Sequence, residues 1–227
     1  MSRKFLTVVI SLLILAGCSL SGVSRASRTA FAEEVQKLSA SYPQPKDMSA
    51  EDWANESVLR AKKQLAMQSR NPDFLTLLAE EESLNVLTRV AKNPKTPLKI
   101  LEKFSTSDVL IIRNYLAANT ALSEKLLDQL SRDKEPDVRQ AAAANPKNTE
   151  ANLKLLAADE NPNVEQFLAR NPQLSEAVML VMVEKSQVPA LEILLKKTGL
   201  PASVVTALKN HPDESIRTKA AAYPAQK

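Results

Sequence analysis

The sequence is poor in the residues on which thiol, metal and nucleotide chemistry depends. Its 227 residues include one His (His211), one Cys (Cys18), one Trp (Trp53) and three Gly, and aromatic residues make up only 4%. A lone His and a lone Cys supply no zinc cage, iron–sulfur cluster or disulfide, nor a Cys/His pair that leaves the Cys free for another use. Gly17, Gly22 and Gly199 stand apart from one another, so no glycine-rich nest can wrap a phosphate or dinucleotide. No metal and no cofactor is expected. Charge of one sign is scarce too. With 30 Lys+Arg against 26 Asp+Glu the formal balance is +4, which leaves no polyanion footprint and no expectation of a nucleic-acid partner. What is present is a 44% hydrophobic chain with 13 prolines scattered among helix formers. A chain of this size hides roughly 70% of its unfolded surface, enough for one core or one stacked array. The prolines favour the array.

Residues 1–17 read as a signal peptide. Arg3 and Lys4 precede a nearly unbroken apolar run from Phe5 to Gly17, and such a run reaches only about 20 Å as a helix, short of a bilayer core of about 30 Å. Leu15-Ala16-Gly17-Cys18 resembles the bacterial lipobox. The resemblance implies that the Cys18 thiol receives diacylglycerol, that cleavage frees its amine, and that a further acyl chain such as palmitate is added. Two or three acyl chains anchor a protein stably where one does not. In lipoproteins of this kind an Asp after the Cys favours the inner membrane. Ser19 stands there instead, which implies the outer membrane facing the periplasm, or the outer leaflet if the envelope has a single membrane. Loss of residues 1–17 leaves 28 basic and 26 acidic side chains.

Residues 18–30 lack periodicity and are expected to form a lipidated tether. Residues 31–66 are expected to form an N-terminal helical cap. Phe31, Val35 and Leu38 share one helical stripe, which Tyr42-Pro43-Gln44-Pro45 ends. Ser49-Ala50-Glu51-Asp52 reads as a capping box with Asp in place of Glu, opening a helix to about Ser69 that carries Trp53, Leu59 and Leu65. Trp53 is expected to pack this cap over the first repeat.

The remainder repeats. Steps of 26 from Leu75 meet Leu101, Leu127, Leu153, Met179 and Val205, and from Leu78 they meet Phe104, Leu130, Leu156, Met182 and Leu208. A third column runs through Val86, Ile112, Val138 and Val164, slips by one to Leu191 and recovers at Ile216. Columns of this kind mark a solenoid. Asn93-Pro94, Asn145-Pro146 and Asn171-Pro172, with Asn119-Thr120 as a variant, punctuate it. Asn tolerates a left-handed helix end, and Pro biases the residue before it away from the right-handed helix. A short helix follows each mark, as in 123–131, and after a turn a second one, as in 137–144. The expected fold is therefore all-α: an α-α superhelix, a right-handed solenoid of two-helix repeats of about 26 residues. Six repeats are expected, at 67–92, 93–118, 119–144, 145–170, 171–197 and 198–222, with a tail at 223–227.

The segment from Glu135 to Pro146 resembles the repeats of the variant leucine-rich repeat family, relatives in architecture of HEAT and armadillo arrays. The matching columns are the branched apolar residue, the Arg after it (Arg113, Arg139, Arg217), the Ala pair and Asn-Pro. The resemblance covers 67–222 and implies a scaffold that binds proteins or peptides on its second helices. This chain departs from the pattern: its period is 26 rather than about 24, and Leu87, Glu165 and Glu192 break the Arg column. The cysteine cluster that gives one member a metal centre is missing.

Three residues past the third column stand Arg89, Tyr115, Ala141, Phe167, Leu194 and Lys219, a set that changes character from repeat to repeat as a partner-binding strip does. Two readings stay open, a binding strip or filling between repeats, since large apolar residues at helical spacing are usually core. Arg113 and Arg139 likewise serve either a partner or salt bridges between repeats. His211 occupies a turn position. The carboxylate clusters Asp47, Glu51, Asp52 and Glu80, Glu81, Glu82 raise the thought of a cell-wall hydrolase, but exposed helix ends do not make a two-carboxylate cleft. The last repeat is expected to end at Tyr223-Pro224 without a covering helix, an end open to a partner or to self-association. The functional expectation is a non-catalytic, lipid-anchored envelope scaffold that binds a protein or peptide. The alternatives are a pilotin-like factor escorting an outer-membrane subunit and, third, the hydrolase.

Overall fold

A computed structural model describes residues 22–224. The expected signal peptide, Cys18 and residues 225–227 lie outside them. Among the described residues there are fourteen α-helices and no strand, so the chain is all-α, as expected. It divides into two compact units, Met1–Phe104 and Ser105–Lys227, and the division falls inside the second repeat, at the end of that repeat's first helix.

In the first unit, α1 (Arg25–Ser41) opens where a tether was expected. The Ser24 hydroxyl accepts from the Ser27 amide at 3.0 Å and caps it, and the Ser24 backbone is extended. The helix therefore begins well ahead of the apolar stripe that announces it. Phe31, Ala32 and Val35 are buried, and Ser39 takes the buried place expected for half-exposed Leu38. The second helix, α2 (Ala50–Gln68), starts at the expected box: Ser49 Oγ accepts from the Asp52 amide at 3.1 Å and donates to the Asp52 carboxylate at 2.7 Å. Trp53 is buried at 4% exposure, with the Arg60 guanidinium 5.2 Å over its ring. Then come α3 (Pro72–Leu78), α4 (Leu84–Lys92) and α5 (Leu98–Ser105).

Helix α1 packs beside α3, with Phe31 and Phe74 edge to face at 5.4 Å, and α2 packs beside α4. The two long helices thus stand where a repeat's first and second helices would. The sequence does not announce this pair, because helices of 17 and 19 residues cannot keep a 26-residue register.

The second unit holds α6 (Leu110–Ala117), α7 (Glu124–Ser131), α8 (Pro136–Ala144), α9 (Glu150–Leu156), α10 (Pro162–Arg170), α11 (Glu176–Lys185), α12 (Val188–Leu194), α13 (Ala202–Lys209) and α14 (Glu214–Ala221). Helices of this length are marginal alone, so packing must hold them. Each second helix packs on the next, α6 on α8, α8 on α10, α10 on α12, and α12 on α14. The first helices α7, α9, α11 and α13 do the same in a second layer. Leu127, Leu130, Leu156, Met182, Leu208 and the third column from Val138 to Ile216 are fully buried. Each such side chain contributes about 1.5–3 kcal/mol. One column slips: Val178 and Val204 take the core place in the last two repeats, leaving the expected Met179 and Val205 only partly buried.

The Asn columns carry a correction. Asn93, Asn145 and Asn171 are extended (φ −71, −71 and −59), and no described residue other than glycine has a positive φ. The Pro bias decides the backbone, and the carboxamide does other work. Asn145 Nδ2 donates to the Ala117 and Asn119 carbonyls at 2.7 and 2.9 Å, closing the end of α6, while its Oδ1 accepts from the Lys147 amide. Asn171 repeats this on Ala143 and Asn145. Within the first unit Asn93 reaches back to Ala66 and Ser69 at the end of α2. Helix-end carbonyls lack intrahelical donors, and each repeat supplies them to the one before.

Candidate functional site

In the second unit the exposed side of α6, α8 and α10 carries Tyr115 and Phe167, 38% and 39% exposed, with half-buried Ala141 between them in the same column. Packed helices lie about 8–10 Å apart, so the two rings flank a gap of roughly two helix spacings floored by one methyl group. The Arg170 guanidinium lies 5.5 Å from the Phe167 ring centroid and gives that end of the strip a positive rim. Asn114, Gln140 and Gln166, one residue earlier in each helix, are half-buried beside it. Their carboxamides offer donors and acceptors, although Asn114 Nδ2 already holds the Asp137 carbonyl at 2.8 Å.

Three residues expected at this surface are elsewhere. Leu194 is 0% exposed and belongs to the core. The buried column moves by 27 residues from Val164 to Leu191, so the place 26 residues after Phe167 falls to half-buried Ile193. Arg113 and Arg139 are not offered to a partner. Arg113, 5% exposed, grips Asp133 through Nε and Nη2 at 2.7 and 3.0 Å and donates from Nη1 to the Ser107 carbonyl. Arg139 grips Asp159 at 2.7 and 2.9 Å and reaches the Asp133 carbonyl. Both forks join neighbouring repeats, which is the salt-bridge reading. Burial pushes the Asp133 carboxyl up, but the Arg113 fork and the Glu135 amide outweigh it and hold that group below its ordinary value. In the first unit, half-buried Arg89 donates to the Asn85 carbonyl of its own helix.

The ladder changes chemistry further along. At the next Arg position stands buried Glu165, which accepts from the Gln187 amide at 2.7 Å. Burial raises its titration, the Gln187 bond partly offsets that, and the Asp159 charge raises it further. At the next Asn position Lys197 Nζ donates to the Asn171 carbonyl at 2.8 Å, and burial pulls this ammonium below its ordinary value. At the last, the Tyr223 hydroxyl donates to the Lys197 carbonyl at 2.8 Å and accepts from the Leu200 amide at 2.9 Å. Around these two residues lies a cavity of about 520 Å³. Sequence reasoning missed it, although Lys197 and Tyr223 lie 26 and 52 residues beyond Asn171 in the same column.

His211, Glu80, Glu81 and Asp52 make contacts of a structural kind. His211 Nδ1 accepts from the Asp213 amide at 3.1 Å, and its carbonyl accepts from Arg217, as suits a turn. Glu80 pairs with Lys103 and Glu81 with Lys62, while Asp52 caps α2. Among the described residues no three His, Cys, Asp or Glu side chains are grouped to hold a metal ion, and no helix is long and apolar enough to cross a membrane. Compared with known proteins, the chain matches no family model, no curated protein and no solved structure at a significant level.

Proposed function

We propose that this protein is a lipid-anchored scaffold of the bacterial cell envelope that holds a protein or peptide partner and performs no chemistry. The observation that carries this reading is the Tyr115–Ala141–Phe167 strip: two exposed rings set on alternate second helices of a stacked unit whose other large side chains are mostly buried. Aromatic anchors spaced by a small residue suit an apolar partner side chain, since rings give contact area at low conformational cost. Amides beside them suit a partner's backbone groups. Anchorage through Cys18, facing the periplasm from the outer membrane, is the part of the proposal supported by the lipobox and Ser19, and the resemblance to variant leucine-rich repeats supports a binding rather than catalytic role.

The test is a photo-crosslinking residue at position 115, 167 or 155 of the full chain in intact cells. Leu155 is equally exposed but sits on first helix α9. Positions 115 and 167 should capture the same product and position 155 should not. Equal capture at all three, or none at 115 and 167, would count against the proposal.

A further inference from the structure

The cavity beside Tyr223 lies away from the Tyr115–Phe167 strip and has its own chemistry. Among the described residues its lining contains Lys196, Lys197 and Lys219 and no carboxylate, together with Leu195, Tyr223 and Pro224. Its volume of about 520 Å³ falls within the ordinary range of ligand pockets, about 300–1,000 Å³. The three ammonium groups have modest engagements. Lys219 pairs with Glu192, a residue outside the lining, Lys197 holds the Asn171 carbonyl, and Lys196 is exposed.

Lys197 is the informative one. In the preceding repeats its position is filled by Asn145 and Asn171, whose neutral carboxamides satisfy the same kind of carbonyl. A carbonyl needs only an N–H donor, so an ammonium there adds a charge and two further donors that the ladder does not require. Part of the lysine charge answers the carbonyl ends of α12 and α14. Three cations around one hollow, with one acidic partner outside it, exceed that need. The Leu195, Tyr223 and Pro224 side gives an apolar wall.

We propose that this cavity receives the free C-terminal carboxylate of a peptide whose last side chain is apolar, with the carboxylate among Lys196, Lys197 and Lys219 and the side chain against Tyr223. Charge complementarity selects the carboxylate, and the apolar wall of Leu195, Tyr223 and Pro224 selects one that carries an apolar side chain over an inorganic phosphate ion. The cavity and its lysines stand independently of the strip, so the failure of either proposal leaves the other intact.

The test is fluorescence anisotropy with the full chain and labelled Gly-Ser-Ala-Ala-Leu, prepared as the free acid and as the C-terminal amide. The free acid should bind saturably, and the amide at least about tenfold more weakly, since a charge-assisted contact is lost. The K196Q/K219Q variant, altered only at exposed side chains, should keep its helical circular dichroism and lose about tenfold in affinity. The Y115S/F167S variant should bind the free acid as the parent does. No saturable binding, equal binding of acid and amide, indifference to K196Q/K219Q, or displacement by inorganic phosphate or decanoate as effective as by unlabelled peptide would each overturn the proposal.

Discussion

The rungs from α6 to α9 and those from α10 to α14 use the same columns for different purposes. In the earlier stretch, Arg113 with Asp133, Arg139 with Asp159, and Asn145 with the Ala117 and Asn119 carbonyls form rungs that each reach the neighbouring repeat through two donors. In the later stretch Glu165 replaces an Arg, Lys197 an Asn and Tyr223 another, and a cavity with three lysines stands where the rungs stop being uniform. Such rungs hold a stack together and leave nothing for a partner. The broken ones keep the stack by one or two hydrogen bonds each, and Lys197 leaves charge over.

This comparison is easiest to break at Arg113. Its truncation in R113A leaves Asp133 buried without its fork, and an orphaned member of a buried pair costs about 3–5 kcal/mol. Urea unfolding of the full chain should show a loss of that order, with a lower midpoint. A loss under about 1 kcal/mol would mean that the fork is no structural rung. N145A comes next. It strips donors from two buried carbonyls and an acceptor from the Lys147 amide, so at least about 2 kcal/mol should be lost, at about 1–3 for each buried carbonyl left unmet. K197M, which removes a single bond of this kind, should cost less than N145A in the same assay. Y115S/F167S should leave stability within about 0.5 kcal/mol of the parent, as exposed positions do, while abolishing capture at the strip.

The smallest expected effect is on pH dependence, and it has opposite signs in the two stretches. The Asp133 carboxyl titrates below its ordinary value of 3.8, so its contribution is complete above that value and disappears as the pH falls through the lowered one. Glu165 titrates above its ordinary 4.5. The folded state therefore keeps its proton longer than the unfolded chain does, and the contribution of neutral Glu165 is complete below 4.5 and fades as the pH rises towards the raised value. E165Q keeps an acceptor for the Gln187 amide and should flatten that upper window while leaving the acid limb, set by Asp133, unchanged. Unfolding midpoints measured across both windows check this.

Much of the architecture was legible because it is periodic. The apolar columns from Leu75, Leu78 and Val86 exist since each helix pair must hide the same face against its neighbour, and burial follows them except at Met179 and Val205. What stayed hidden was the pairing of α1 with α2 as an additional repeat-like unit, since its length differs. The core place of Leu194 was one of two open readings, since the column that carries it also carries exposed Tyr115 and Phe167. Asn-Pro was visible as punctuation, but not as a carboxamide reaching a helix end 26 to 28 residues back. Sequence shows the backbone bias of Pro directly and a side chain's distant acceptor only through spacing. For the site, Tyr115 and Phe167 were legible as exceptions in an otherwise variable column. The Lys197–Tyr223 cavity was not, since two unlike residues in one column look like the decay of a motif.

The account stands on rungs that tie each repeat to the next, and a double-mutant cycle on Arg139 and Asp159 tests it most directly. These residues lie 20 apart in sequence and in adjacent repeats, and they touch at 2.7 Å. If repeats stack as described, R139A and D159A should be non-additive, with a coupling of at least about 1 kcal/mol by urea unfolding. Additive losses, with coupling within about 0.3 kcal/mol of zero, would contradict the stacked-repeat account.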